Sequence, residues 1–165
     1  MTKVCSAFLI FAALLVAGPS TARPDQSAAN QTSSAQIESP SLRIEFDNKM
    51  RSRVVARFDG KDVSVGAFSA SETVKGNQRS WNDFVLSSQT RERISDAYGK
   101  GEKLSLTGLS GTLRKNLSVI IYDEFPNLAV FDVSYTNVGK SQLTIIGWNN
   151  NTYTIDAQRA TSNVP

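Results

Sequence analysis

The sequence predicts an all-β fold, an antiparallel β-sandwich. From Ser41 onward, apolar side chains recur at every second residue, which is the period of a strand with one face buried. No stretch sustains the 3.6-residue period of an amphipathic helix. About ten short apolar runs with turn residues between them are typical of a sandwich or barrel. Glycines separate or bend these runs, at Gly60, Gly99, Gly101, Gly108 and Gly111.

One strand carries a basic stripe on one face. Residues 49–58 place Lys49, Arg51, Arg53, Val55 and Arg57 on one side, and Met50, Ser52, Val54, Ala56 and Phe58 on the other. This pattern predicts a half-buried strand. The stripe is either a ligand surface or a solvated face, and we expect the solvated face because outward charges also prevent pairing between sheet edges.

A long hairpin is predicted in the second half of the chain. Its strands are Leu113–Asp123 and Leu128–Val138, joined through Pro126 and Asn127, which favour a tight turn. We expect Leu143–Trp148 to return antiparallel, with Trp148 in the core. The other predicted strands are Ser41–Asp47, Val63–Phe68, Phe84–Ser88, Glu92–Tyr98, Lys103–Leu109 and Thr152–Ala157.

The first forty residues are predicted to lie outside the folded body. Residues 1–22 combine Lys3, an apolar run and a small-residue site ending at Ala22, the pattern of a secretory signal peptide. The run is shorter than the span of about 20 residues that a membrane helix needs. Residues 23–40 are polar and are predicted to form a flexible linker. The β-sandwich is assigned to residues 41–158, with a tail at 159–165.

Composition excludes several kinds of chemistry. The chain has no histidine and one cysteine, so a Ser-His-Asp triad, a histidine-ligated metal and an intrachain disulfide are all excluded. No metal site and no cofactor is expected. Removal of residues 1–22 leaves 17 basic against 15 acidic residues, a balance too small to imply a nucleic-acid partner. After cleavage no membrane attachment is expected, and the predicted location is secreted or periplasmic.

The polar segment 72–83 is a candidate carbohydrate-binding loop. It carries Arg79, Trp81 and Asp83, an aromatic side chain between two planar polar groups. Such a set can stack on the apolar face of a sugar and hydrogen-bond its hydroxyls. The alternative is that Trp81 anchors the loop in the core. Adjacent carboxylates such as Asp123 and Glu124 point to opposite faces of a strand and cannot act as a catalytic pair.

Several segments, read in order, resemble one known module. They are FDNKMRSRVVARFDGK (46–61), FSASETVKG (68–76), RISDAYGKGEKLSLTG (93–108) and LSVIIYDEFPNLAVFDVSYTNVGKSQLTIIGW (117–148). Together they resemble the N-terminal β-supersandwich of bacterial α-galactosidases of the melibiase type, glycoside hydrolase family 36 and its clan. The resemblance covers most of residues 41–157 and is carried by the order of the motifs.

The resemblance implies a supporting role in a larger enzyme. In that family two aspartates of a separate (β/α)₈ barrel perform hydrolysis, and the Lys-x-Asp nucleophile motif has no counterpart here. No catalytic residue is therefore assigned, and the chain is expected to be truncated before the barrel. The expected partners are the missing barrel, an α-galactoside bound through the parent enzyme and a second copy in a homo-oligomer. The alternative function is a stand-alone secreted β-sandwich that binds a glycan or a protein without catalysis.

Overall fold

The computed structural model describes residues 33–153, and within that range the chain is an antiparallel β-sandwich. The predicted all-β fold is confirmed. Eleven strands form three sheets, and no helix in the described range is long and apolar enough to cross a membrane. The predicted signal peptide (1–22), most of the linker and the tail (159–165) lie outside the described residues.

The first sheet has the strand order β1-β2-β3-β4. Its strands are β1 (Ala35–Glu38), β2 (Leu42–Phe46), β3 (Ser52–Phe58) and β4 (Lys61–Ser64). The first strand lies within the predicted linker, so the prediction of a flexible segment is wrong for residues 35–38. Ala35 and Ile37 are buried and pair opposite Phe46 and Ile44. Two buried apolar side chains at alternate positions are sufficient to hold this short edge strand against the core.

The basic stripe begins later than the sequence predicts. Residues 47–51 form a turn between β2 and β3, in which Asp47 Oδ1 accepts the backbone N–H groups of Lys49 and Arg51, both at 2.9 Å. Met50 takes a positive φ of 55° in this turn, and β3 starts at Ser52. A short polar side chain that bonds the backbone two residues onward favours a turn over a strand.

The second sheet has the order β10-β9-β8-β7. Its strands are β7 (Val85–Asp96), β8 (Gly99–Ser110), β9 (Leu113–Tyr122) and β10 (Ala129–Asn137). The predicted β9–β10 hairpin is confirmed, with Ala129 opposite Ile121 and Asn137 opposite Leu113. The two strands predicted at 84–88 and 92–98 are instead one edge strand, β7, which pairs with β8 along its length apart from an irregularity near Ser87.

The third sheet has the order β11-β5-β6. It contains β5 (Thr73–Gly76), β6 (Ser80–Trp81) and β11 (Ile145–Asn149). Sequence order favoured pairing of the last strand with β10, and this is wrong, because β11 pairs with β5 from a distant part of the chain. The predicted strand 152–157 is described only at Thr152 and Tyr153, which are not in a strand, and residues 154–157 lie outside the described residues.

The core lies between the first and second sheets and continues under the third. Alternate residues of β1, β8 and β9 point into it, as the period-2 pattern requires, whereas β7 and β11 have no buried residue. Its largest fully buried apolar side chains are Ile37, Ile44, Phe46, Met50, Phe84, Leu106, Leu117 and Val119. This packing leaves three regions for a site: the outer sheet faces, the ends of the hairpins and the edges where sheets meet.

Candidate functional site

The three residues predicted to bind sugar do not form an accessible aromatic pocket. Trp81 is 3% exposed and belongs to the core, where it lies opposite Val74 on β5. The guanidinium carbon of Arg79 lies 4.4 Å from the Trp81 ring centroid, and Arg79 donates to the Ser110 carbonyl at 3.3 Å. Asp83 forms a half-exposed ion pair with Lys49 at 3.2 Å. This burial matches the alternative in which Trp81 anchors the loop.

The second tryptophan is exposed, and the prediction that it lies in the core is wrong. Trp148 is 54% exposed on β11, an edge strand that also exposes Ile145 and Ile146. The apolar run before Trp148 predicted burial. Trp148, Val74 and Trp81 are cross-strand neighbours on one face of the third sheet, and packing covers Val74 and Trp81 but leaves Trp148 exposed at the opposite edge.

The basic stripe of β3 is neutralised by acidic neighbours. Glu45, 4% exposed, accepts from Arg43 at 2.7 Å and from Arg53 at 2.5 Å. Arg57 pairs with Glu38 and Asp62 at 2.9 and 3.0 Å. Ion pairs within one sheet face occupy the cations that a phosphate or nucleic-acid ligand would need.

Three carboxylates at the second sheet, Asp96, Asp123 and Asp132, either have a structural partner or face solvent. Asp123 forms an exposed pair with Arg93 at 2.5 Å, and hydrogen bonding to that guanidinium lowers the pKa of Asp123. Asp96 accepts a hydrogen bond from the Tyr122 hydroxyl, and Asp132 points outward from β10. In residues 33–153 no three His, Cys, Asp or Glu side chains are grouped so that they could hold a metal ion.

A buried ion pair lies where the three sheets meet. Lys115 Nζ is 2.5 Å from Glu72 Oε2, and the two side chains are 1% and 0% exposed. The Ser71 hydroxyl donates to Glu72 Oε1 at 2.7 Å and lies 2.6 Å from the Ser52 hydroxyl. Lys115 Nζ also lies 5.6 Å from the Phe84 ring centroid. The pair is fully desolvated, so each charge depends on the other.

Two tyrosines extend this polar cluster. The Tyr153 hydroxyl lies 3.0 Å from Ser52 Oγ, and burial raises the pKa of Tyr153 to about 12. The Tyr135 hydroxyl is buried without a hydrogen-bond partner among the described residues, and burial also raises its pKa. Sequence reasoning missed this cluster. The available signal was Lys115 itself, which occupies an inward position between Leu113 and Leu117 in the period-2 pattern.

An aromatic pair lies at the tip of the β7–β8 hairpin. Tyr98 is 72% exposed, and its ring centroid is 6.2 Å from that of Tyr122 at an angle of 59°. Asp96 Oδ1 accepts the Tyr98 backbone N–H at 2.8 Å, and Asp96 Oδ2 accepts the Tyr122 hydroxyl at 2.9 Å. This tip combines an open aromatic ring with a fixed carboxylate, the combination that the sequence suggested for Trp81 and Asp83.

A polar cleft of about 430 Å³ opens between β1 and the β7–β8 edge. Gln36, Gln89 and Arg91 line it over the apolar side chain of Leu104. Arg91 spans the cleft, since it donates to Glu102 at 2.8 Å and to the Gln36 carbonyl. The guanidinium is therefore already used to join the two sheets.

Comparisons with known proteins provide no relative for this chain. No family model, no curated protein and no solved structure matches it.

Proposed function

We propose that the chain is the non-catalytic N-terminal β-sandwich module of a secreted α-galactosidase-like glycoside hydrolase. Its role is to pack against the catalytic barrel and to support carbohydrate binding by the parent enzyme. The family resemblance of residues 41–157 supports this proposal, and the observed antiparallel sandwich is the fold that the resemblance implies.

The observation that carries the proposal is the apolar edge strand β11. Ile145, Ile146 and Trp148 are 37%, 65% and 54% exposed on a strand whose one neighbour among residues 33–153 is β5. Edge strands in soluble proteins are normally short, charged or covered, because unpaired backbone groups beside apolar side chains promote association. A following domain of the same enzyme would cover this edge.

The carboxylates of the described range also support a non-catalytic role. Glu45, Asp47, Glu72, Asp83 and Asp123 each bind a lysine or arginine. A glycosidase needs two carboxyl groups that face one another across a sugar. The proposal therefore leaves hydrolysis to the barrel.

The test begins with the DNA that follows codon 165. An in-frame (β/α)₈ barrel with strand-end aspartates supports the proposal, whereas a stop codon in intact sequence contradicts it. The chain alone should not hydrolyse a nitrophenyl α-galactoside, and the longer product should. Clear turnover by the chain alone would overturn the non-catalytic assignment.

A variant tests the packing role in the longer enzyme. Ile146→Lys should lower its melting temperature and its activity half-life, because the charge would be buried against the barrel. Phe58→Lys is the matched control, since Phe58 is 51% exposed on β3, in a different sheet. Equal effects of the two substitutions would argue against packing at β11.

The second candidate function is a stand-alone secreted β-sandwich that binds a glycan or a protein. The exposed Tyr98 at the β7–β8 tip favours it, because this aromatic side chain makes little contribution to the core. A stop codon after residue 165 together with specific glycan binding would select this function over the first.

A further inference from the structure

We propose that the outer face of the second sheet, at the β7–β8 end, binds a neutral oligosaccharide. Tyr98 would stack on a sugar ring, and Asp96 would accept hydrogen bonds from its hydroxyls. This binding surface is additional to the barrel-packing role of β11. The end of β8 at Ser110 lies beside the third sheet, because Arg79, just before β6, donates a hydrogen bond to the Ser110 carbonyl. Tyr98 lies at the opposite end of the 12-residue β8. The third sheet, which contains β11, and the tip at Tyr98 are therefore separated by the length of β8, roughly 35 Å.

Tyr98 presents an exposed aromatic ring at the tip of the β7–β8 hairpin. At 72% it is the most exposed of the large apolar and aromatic side chains in residues 33–153. Tyr122 supports it from one side, with ring centroids 6.2 Å apart, and this contact restricts the orientation of the ring. An aromatic ring held in this way offers an apolar face beside a polar hydroxyl, which suits the mixed apolar and polar surface of a sugar.

The carboxylate of Asp96 lies beside this ring in a fixed orientation. Its two oxygens are oriented by the Tyr98 backbone N–H and the Tyr122 hydroxyl, at 2.8 and 2.9 Å. A carboxylate has about four acceptor positions, so Asp96 retains capacity for sugar hydroxyls. Because its orientation is set before the ligand arrives, little conformational entropy is lost on binding.

Two glycines of β8, Gly99 and Gly101, lie beside the two tyrosines. Gly101 lies directly opposite Tyr122 and Ile94 in the register of the sheet, so no side chain of β8 stands between β7 and β9 at this level. Gly99 adopts a φ of +126°, and a Cβ there would meet nothing within 4 Å. Tyr122 can therefore reach across the buried Gly101 to Asp96, and the surface beside Tyr98 stays low at Gly99, which is partly exposed.

A row of small polar side chains continues the same face. The register aligns Thr90, Ser105, Ser118 and Asp132 across the four strands. With strands about 4.8 Å apart, the row is roughly 14 Å wide. Between the row and the tip, Lys103 and Glu92 neutralise one another at 3.3 Å, beside the half-buried Ile120 and Val130 in the same register. Hydroxyls, one carboxylate and a balanced ion pair suit a ligand rich in hydroxyls and without net charge.

The polar character of this face favours a glycan over a protein partner. The centre of a protein interface is depleted of charged groups and built from several apolar anchors. Here one exposed aromatic side chain borders hydroxyl, carboxylate and ammonium groups, and the apolar side chains of the same face, Ile94, Ile120 and Val130, are only partly exposed. Residues of β11 provide the contrasting apolar surface in the same molecule.

The test measures binding of melibiose, raffinose, stachyose, cello-oligosaccharides and soluble galactomannan by calorimetry and by amide chemical-shift changes. We expect at least one of these neutral glycans to bind and to shift the amides of Asp96, Tyr98 and Thr90. Tyr98→Ala should weaken the affinity by about tenfold, the equivalent of about 1.4 kcal/mol. Tyr98→Phe should retain it because stacking needs the ring, and Asp96→Asn should weaken it.

Two controls separate this inference from the proposed function. Trp148→Ala should leave the affinity unchanged, since Trp148 belongs to the third sheet. Circular dichroism of Tyr98→Ala should show an unaltered fold, because the exposed ring contributes little packing. No binding by the parent chain to the whole panel, or full affinity in a folded Tyr98→Ala variant, would overturn the inference. Loss of affinity in Trp148→Ala with full affinity in Tyr98→Ala would also overturn the inference, because it would place the sugar at β11.

Discussion

Lys115 Nζ lies 2.5 Å from Glu72 Oε2 in the core, and the two residues come from different parts of the fold. Lys115 comes from the centre of the second sheet, and Glu72 immediately precedes β5 of the third. Ser52 of the first sheet joins them through Ser71. This cluster connects all three sheets through polar contacts, and it requires one relative arrangement of the sheets because every buried polar group must find its partner.

Removal of the lysine should therefore be costly. Lys115→Met should lower the free energy of unfolding by about 3–5 kcal/mol, because Glu72 would remain buried without its counter-charge. Denaturant unfolding followed by fluorescence measures the change. Lys103→Met is the matched control, since the exposed Lys103–Glu92 pair should contribute less than about 1 kcal/mol. Equal losses in the two variants would contradict the role of the buried pair.

Gly76 is predicted to be required for the packing of Trp81. A Cβ at Gly76 would lie 2.9 Å from the Trp81 ring and 3.1 Å from the Thr144 carbonyl oxygen. Gly76→Ala should destabilise the fold by about 1–3 kcal/mol through overpacking. Gly147→Ala is the control, because a Cβ at Gly147 meets nothing within 4 Å. Thermal melts compare the two, and a Gly76→Ala melt at the parent temperature would refute the packing argument.

Alkaline pH should destabilise the fold through Tyr153. Burial raises its pKa from 10.0 to about 12, with a further contribution from the charge of Glu72. A group whose folded pKa lies above its unfolded pKa stabilises the fold fully below pH 10, and this stabilisation is lost as pH rises through 12. Tyr153→Phe should show a smaller loss of stability between pH 10 and 12. A pH profile identical to that of the parent would contradict this assignment.

The isolated chain should self-associate through β11. Trp148→Lys and Ile146→Lys should each reduce binding of a hydrophobic dye and shift sedimentation toward the monomer, because a charge on an edge strand opposes edge-to-edge pairing. Phe58→Lys should have a smaller effect, since Phe58 lies on β3, which has neighbours on both sides. A parent chain that is monodisperse and binds no dye would contradict the prediction.

Local hairpins were accessible to sequence reasoning, and long-range pairings were not. The β9–β10 hairpin followed from two alternating runs and a Pro-Asn turn, because neighbouring antiparallel strands need only a short connection. The pairing of β11 with β5 joins Trp148 to Val74. No local pattern encodes that pairing, because several strands of this chain have similar apolar alternation, and nothing in that alternation singles out β5 as the partner of β11.

The candidate site shows the same division. The sequence drew attention to Trp81 as an aromatic residue among polar neighbours, yet Trp81 is buried and Trp148 is exposed. Tyr98 was the final residue of a predicted strand, and its exposure depends on the turn between β7 and β8. Both tryptophans lie on one face of the third sheet, on either side of Val74. Which of them is covered depends on how far the rest of the core extends over that face, and that is a property of the assembled fold.

The sequence by itself determined that residues 41–153 would form antiparallel strands, because alternation in and out of a core requires only neighbouring residues. The tertiary structure alone decided the partner of β11, the recruitment of residues 35–38 as an edge strand and the meeting of Lys115 with Glu72. These features depend on contacts between residues far apart in the chain. The free energy that stabilises such contacts comes from packing and from removing surfaces of separate segments from water, so it cannot be read from any one segment.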